Sequence, residues 1–193
     1  MMGHVNNSVG DLEAGMLLLA SPELLDPNFA DTVVLLLDVN DEGALGVVLN
    51  HPTQVLVADV LEPWREVVAE PEVLFRGGPV GTDGALAVAE LRDPQDPPVG
   101  WRPVAGILGM VDLDTPTELV DGSLTAMRVF AGYAGWGAQQ LDGEVERGDW
   151  YVVGAESGDA FRCDTSDLRR DVMRRQPGML AWHVNRPVDP ELN

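Results

Sequence analysis

The apolar residues of this chain come in short runs, and turn-forming residues end each run after a few positions. Gly15–Ala20 is closed by Ser21-Pro22, and the β-branched run Thr32–Asp38 leads into the turn Asn40–Gly43. Ala44–Leu49 then returns along the chain, which predicts a hairpin of two interior strands. No run approaches the ~18 apolar residues of a membrane-spanning helix. The chain must therefore build its core from many short elements.

Helical patterns fall between these runs at irregular intervals. Thr115-Pro116-Thr117-Glu118 has the residues of a capping box, and Gly122 would end the short helix that the box begins. Residues 55–69 are expected to form two helical pieces and 138–147 one, and Asp164 is expected to cap a last helix. Further strands are predicted at 73–76, 85–91, 107–111, 125–130 and 150–153, with 160–162 beside the last. This mixture favours an α+β domain with a mixed sheet.

The length of 193 residues indicates one domain, and 45% hydrophobic residues are enough to fill its core. We expect a flexible N-terminus over residues 1–11 and the domain over 12–175. Residues 176–193 are expected to form a C-terminal tail, whose structure the pattern does not define.

Charge and residue types exclude several classes of function. The 32 acidic residues outnumber the 12 basic ones, and the formal net charge of −20 repels nucleic-acid backbones. All the basic residues are Arg, and the absence of Lys excludes P-loop nucleotide hydrolases and pyridoxal-phosphate enzymes. The single Cys163 excludes intrachain disulfides and four-cysteine metal sites, so a cytoplasmic location is expected. We expect no cofactor, metal, nucleic acid or membrane contact, and a monomer or weak homo-oligomer.

Two segments rich in small residues are the strongest candidates for a binding surface. Gly77-Gly78-Pro79-Val80 follows a predicted strand, where glycine permits a sharp turn or lets backbone N–H groups approach an anion. Gly132-Tyr133-Ala134-Gly135-Trp136-Gly137 leads into the predicted helix 138–147, whose first N–H groups could bind an anion. A tight turn in the first segment and close chain packing in the second explain the same residues without a ligand.

The predicted helix 138–147 combines two stripes of residues. The apolar stripe comprises Ala138, Leu141 and Val145, and the stripe beside it comprises Trp136, Gln140 and Glu144. A glutamine and a glutamate beside a buried edge could bind a ligand. The alternative, favoured on general grounds, is that they form hydrogen bonds nearby and fix a loop.

Asn50 and His51 end the predicted hairpin, and Asn50 suits a left-handed turn conformation. His51 could act as a general base, although a turn role explains it equally. On the last helix, cations near the C-terminus favour the helix dipole, and Asp171 and Arg175 have the spacing of an i,i+4 ion pair.

Five short motifs follow one another along the chain: Gly15–Ala20, Asp26–Phe29, Gly46–Pro52, Gly77–Val80 and Gly132–Trp136, the last followed by Gln140-Leu141, Glu144 and Trp150. In this order they resemble the AlgH/YqgE-like family of bacterial proteins, over roughly residues 12–175. The chain departs from the family pattern at Gln139, at Asp142 and at Leu168–Arg170. The resemblance implies an α+β fold in which a bifurcated mixed sheet, partly closed into a small barrel, is surrounded by helices. It implies a link to regulation but no defined reaction.

We therefore expect a non-enzymatic binding or regulatory domain that contacts a protein, a peptide or a small ligand. The candidate surface comprises Asn50, Gly77, Gly78, Pro79, Tyr133, Trp136, Gln140 and Glu144. The alternative is an enzyme of unknown reaction, which would need Glu144 or His51 as acid or base in a concave pocket. A DNA-contacting regulator is disfavoured, because the chain has neither a helix-turn-helix pattern nor a basic face.

Overall fold

The computed structural model describes residues 12–156 and 158–177. In this part of the chain the α-helices are α1 (Val57–Val60), α2 (Gln140–Glu146) and α3 (Leu168–Arg174), and short 3-10 helices span Glu62–Trp64 and Thr117–Leu119. The strands are β1 (Met16–Ala20), β2 (Val33–Asn40), β3 (Gly43–Val48), β4 (Pro52–Leu56), β5 (Val73–Arg76), β6 (Val80–Leu91), β7 (Trp101–Ala105), β8 (Leu108–Val111), β9 (Leu124–Gly137) and β10 (Trp150–Gly154). The predicted flexible N-terminus and the predicted tail beyond Pro177 lie outside the described residues.

The strands form a mostly antiparallel sheet that curls into a half-barrel. Its main order is β10-β1-β2-β3-β9-β6-β8-β7, and β4 joins through β5, which pairs with β9 in parallel. The predicted hairpin is confirmed, because Val34 lies opposite Val48 and Asn40 opposite Gly43. Two of the antiparallel pairs, β2–β3 and β7–β8, are hairpins with short turns, whereas the other pairs join strands that lie farther apart in the sequence.

The 14-residue strand β9 is where the sheet divides. One edge of β9 pairs with β6 along most of its length. On the other edge, β5 pairs with Phe130 and Ala131, and β3 pairs with the stretch from Ala134 to Gly137. The glycine-rich segment that begins at Gly132 is therefore the second half of a strand rather than a loop before a helix.

Strands β1 and β2 are buried on both faces, which explains their unbroken apolar sequences. Leu17 and Leu19 face a core cluster that includes Phe75 and Phe130, whereas Leu18 and Ala20 face a second cluster around Trp136 and Trp150. A third cluster packs beneath β6 and β9 and includes Trp64. The two faces of the sheet thus support separate cores, and the candidate residues are divided between them.

The helices are short, and the expectation that they surround the sheet is not confirmed. The prediction of a capping box at Thr115 is wrong: the 3-10 helix there begins after Pro116, and no side chain caps it. The predicted helix over 55–69 begins later than expected, because Val55 and Leu56 belong to β4, which pairs with β5. Residues 160–162 form a turn rather than a strand beside β10.

The predicted ion pair between Asp171 and Arg175 is also wrong. Asp171 pairs with Arg162 at 2.6 Å and with Arg174 at 3.7 Å. Arg175 instead binds the carboxylate of Asp159. The Asp159 side chain is more buried than that of Asp171, and a carboxylate shielded from water attracts a cation more strongly than a solvated one. None of the described helices has the length and apolarity needed to cross a bilayer.

Candidate functional site

The carboxylate of Glu144 accepts hydrogen bonds at both oxygens. Oε2 accepts from the indole nitrogens of Trp136 and Trp150 at 2.8 and 2.9 Å, and Oε1 accepts from the Gln140 amide at 3.0 Å. The Gln140 amide oxygen in turn accepts from the backbone N–H of Gly137 at 3.0 Å. This network ties the end of β9, helix α2 and the start of β10 together. Trp136 belongs to β9 and not, as the spacing predicted, to a stripe of the helix.

Aromatic rings surround this network on its buried side. The rings of Trp136 and Trp150 meet edge to face with centroids 6.0 Å apart, and Phe29 lies 6.0 and 5.6 Å from them. Both tryptophans are almost fully buried. The geometry fits the interpretation in which Gln140 and Glu144 fix the local structure, since their polar groups face protein donors and acceptors. A shallow depression beside Trp136 is bordered by Asp38 and Glu42 but not by the predicted glycines.

The two glycine-containing segments come into direct contact. A Cβ on Gly77 would lie 2.3 Å from the carbonyl oxygen of Gly132, and one on Gly78 would lie 2.2 Å from that of Tyr133. Backbone packing this tight leaves no room for any side chain. The structure thus brings Gly77, Gly78 and Tyr133 together, with Pro79 exposed beside them.

Asn50 lies near this contact, two residues beyond the end of β3. Its side-chain oxygen accepts from the N–H of Val33, and its amide donates to the carbonyl of Asp31, both at 2.9 Å. These two hydrogen bonds of Asn50 hold the start of β2 in place.

The next residue, His51, is half-buried. Burial, together with the nearby positive charge of Arg76, lowers the pKa of its imidazole below 6.5.

A larger opening lies elsewhere, on the other face of the sheet. This cavity has a volume of about 300 Å³, and Leu17 and Leu35 line its base. The β7–β8 turn over 105–108 forms one wall and the loop segments 155–156 and 158–161 form the opposite one, with Glu90 between them. At one end the turn approaches β1 so closely that a Cβ on Gly15 would lie 2.4 Å from that of Ala105.

Two arginines hold the loop wall of this cavity in place. Arg175 donates to both oxygens of Asp159, and Asp159 also accepts the N–H of Glu156 at 2.7 Å. From inside the protein, the buried Arg128 donates to the carbonyls of Ala160 at 2.8 Å and of Glu70 and Arg162 at 3.0 Å. The guanidinium of Arg128 also lies 4.2 Å from the ring centre of Phe75. Burial lowers its pKa to about 10, which still leaves it charged at neutral pH.

Comparison with known proteins defines the family. A family model described as AlgH-like matches residues 17–181, which is most of the chain. The chain belongs to the AlgH-like family. The match ends a few residues beyond the 12–175 region in which the motifs of this family were recognised.

Relatives and solved structures agree with this assignment. The chain is 51% identical over 182 residues to a UPF0301 protein of Streptomyces coelicolor, a match that covers 93% of this chain and 94% of the relative. It is similar to the crystal structure of a Corynebacterium diphtheriae protein, with 31% identity, a TM-score of 0.86 and coverage of 91% and 93%. The solution structure of the AlgH protein from Pseudomonas aeruginosa, at 24% identity, covers 98% of this chain and 100% of its own with a TM-score of 0.65 and shows the shared fold.

The AlgH-like motifs lie mostly outside the cavity, and sequence reasoning missed Glu90 and Asp159, which line it, and Arg175, which binds Asp159. These residues come from β6, from the loop after β10 and from the end of α3. The one local sequence signal for this cavity was the run Ala155–Gly158, whose small residues are typical of a loop but match no recognised motif. Within residues 12–156 and 158–177, no three His, Cys, Asp or Glu side chains are placed to hold a metal ion.

Proposed function

We propose that this AlgH-like protein is a non-enzymatic, cytoplasmic binding domain whose ligand is a small molecule held in the 300 Å³ cavity. The observation that carries the proposal is a cavity with a mostly apolar lining, which opens above the buried Leu17 and Leu35. Its volume lies at the lower end of the range for ligand sites in proteins. Binding sites are commonly formed by loops over a rigid sheet, as here.

Neither acid–base candidate favours an enzyme. Three protein donors occupy most of the acceptor sites of the Glu144 carboxylate, and Glu144 does not line the cavity. His51 has a lowered pKa that would suit a base, but it does not line the cavity. Binding without chemistry therefore needs fewer assumptions than catalysis.

A second candidate is a protein-contact surface around Pro79, Val80 and Tyr133. Val80 lies opposite Tyr133 in the β6–β9 pair, and 40% of its surface is exposed. This surface includes the loop and strand segments that we predicted to bind a protein, a peptide or a small ligand. The close backbone packing beneath it would present these side chains on a rigid base.

The small-ligand proposal is tested with a neutral probe and two matched variants. We expect hexan-1-ol to shift the amide NMR signals of residues around the cavity in the full chain. Ala155→Phe fills the cavity and should abolish these shifts. Ala85→Phe changes an exposed alanine that lies far along β6 from Glu90, and it should leave them unchanged. Shifts that survive Ala155→Phe, or no saturable shifts at all, would contradict a ligand site in this cavity.

A further inference from the structure

We propose that the ligand of this cavity is a small organic cation, an alkylammonium whose charged head pairs with Glu90 and whose short chain lies along the accessible apolar lining of Ile107, Leu108 and Phe161. This inference rests on the proposed function, since it assumes that the cavity binds a small molecule. Glu90 is assigned as the residue that selects the charge of the ligand.

Within the described part of the chain, the surroundings of Glu90 give its carboxylate no partner. The residues opposite it in the sheet are Leu108 on β8 and Ala126 on β9, and neither side chain can donate a hydrogen bond. Arg92, two residues farther along, donates instead to the carbonyls of Gly122 and Leu124. Among the described residues, no hydrogen bond or ion pair engages the Glu90 carboxylate. A half-buried carboxylate in this position gains most from a cationic partner that brings its own N–H donors.

The charges around the cavity point to the same sign of ligand. Among the described residues, its lining contains the acids Glu90, Glu156 and Asp159 and no basic residue. Arg175 reaches the wall from behind, but it is bound to Asp159 and lies 3.4 Å from Glu156. The region therefore keeps an excess of negative charge, and the formal charge of −20 on the whole protein also attracts cations.

The shape of the cavity limits the ligand to a short chain. Leu17 and Leu35 are buried leucines on neighbouring strands and lie directly opposite each other. The approach of Ala105 to Gly15 closes one end. A short alkyl chain can contact Ile107, Leu108 and Phe161 while its ammonium group reaches Glu90, whereas a bulky or anionic molecule would lose either the packing or the charge pairing.

Three six-carbon probes of equal length test the assignment by NMR titration of the full chain at pH 7. Hexylammonium is charged at this pH, hexan-1-ol is neutral and hexanoate is negative. We expect hexylammonium to bind about tenfold more tightly than hexan-1-ol, a difference typical of one charge-assisted contact, and hexanoate to bind weakest. The preference should decrease as salt is added.

Glu90→Gln keeps the size of the side chain and removes its charge. It should abolish the preference for hexylammonium while hexan-1-ol still binds. The control Glu118→Gln removes one exposed charge away from the cavity and should keep the preference.

If hexan-1-ol binds in the cavity but hexylammonium binds no more tightly, or if Glu90→Gln keeps the preference, the cation assignment is overturned while the cavity remains a ligand site. If a lysine-containing tripeptide binds more tightly than hexylammonium, the ligand is a peptide and the small-molecule assignment is overturned. If no probe binds in the cavity, the proposed function fails as well.

Discussion

Trp136 and Trp150 donate their indole N–H groups to the same oxygen of Glu144, at 2.8 and 2.9 Å, and their rings meet edge to face. Each tryptophan comes from a different strand, β9 or β10, and the glutamate from the helix between them. A single carboxylate thereby joins the two ends of the segment that connects these strands. This arrangement gives Trp136 of the Gly132–Trp136 motif, and the Glu144 and Trp150 that follow it, a structural role in the local fold.

Replacing Glu144 with Gln should destabilise the protein by about 1–3 kcal/mol, because an amide oxygen cannot satisfy three N–H donors as a carboxylate does. Urea unfolding followed by tryptophan fluorescence measures the change. The matched control Glu146→Gln alters an exposed residue of the same helix and should change the free energy of unfolding by less than about 0.5 kcal/mol. Equal stability of the two variants would show that the network contributes little.

Gly78→Ala should destabilise the protein by about 1–3 kcal/mol, because the added Cβ would lie 2.2 Å from backbone atoms of Tyr133. Gly154→Ala is the control, since a Cβ there meets nothing within 4 Å. Thermal unfolding compares the two variants. A Gly78→Ala protein as stable as the control would mean that the two backbones separate easily.

Asp159→Asn should loosen the wall of the cavity, because Arg175 would lose its charged partner and Glu156 a strong acceptor for its N–H. We expect a loss of about 1–2 kcal/mol, since this pair is more protected from water than a surface pair. Hydrogen exchange at the Glu156 amide should become faster. Asp167→Asn, which breaks the exposed pair with Arg170, should leave that exchange unchanged.

Arg128→Met should destabilise the protein by about 2–4 kcal/mol, because the carbonyls of Glu70, Ala160 and Arg162 would lose their donor in a buried setting. Arg102→Met, at an exposed position on β7, serves as the control. Urea unfolding measures both. A neutral effect of Arg128→Met would indicate that packing on Phe75 replaces these hydrogen bonds.

His51 should titrate below pH 6.5, because burial and the charge of Arg76 both disfavour its protonated form. A pKa that folding lowers means that the unfolded chain binds the proton more readily. The contribution of His51 to stability is thus present above pH 6.5 and is lost as the pH falls through the lowered pKa. NMR titration of the imidazole should show the pKa moving upward in Arg76→Gln but not in Arg102→Gln. A midpoint at or above 6.5 in the wild type would contradict this account.

Patterns local in the sequence predicted most of the strands. The hairpin over 32–49 was recognised because apolar runs and a turn lie next to each other in the chain, and helix α2 followed from its buried Leu141 and Val145. Strand β7 was not among the predicted strands, because four prolines between residues 93 and 103 are typical of a loop. Proline is compatible with an edge strand, and β7 lies at the end of the sheet order.

The candidate site was predictable only in part. Gly77 and Gly78 contact Gly132 and Tyr133, but the role of these segments as a binding surface stays a prediction. The three partners of Glu144 could not be deduced, because two of them require Trp136 and Trp150 to approach from separate strands.

The sequence by itself determined the short strands buried on both faces, the acidic composition and the AlgH-like family, since each depends on residue types and their order. Only the tertiary structure decided that Glu90 has apolar neighbours, that Arg175 leaves its own helix to bind Asp159, and that a cavity opens above Leu17 and Leu35. The physical reason is that burial and turns follow from local side-chain chemistry. Strand pairing and side-chain partners instead follow from the free energy of the whole arrangement, which brings distant segments together.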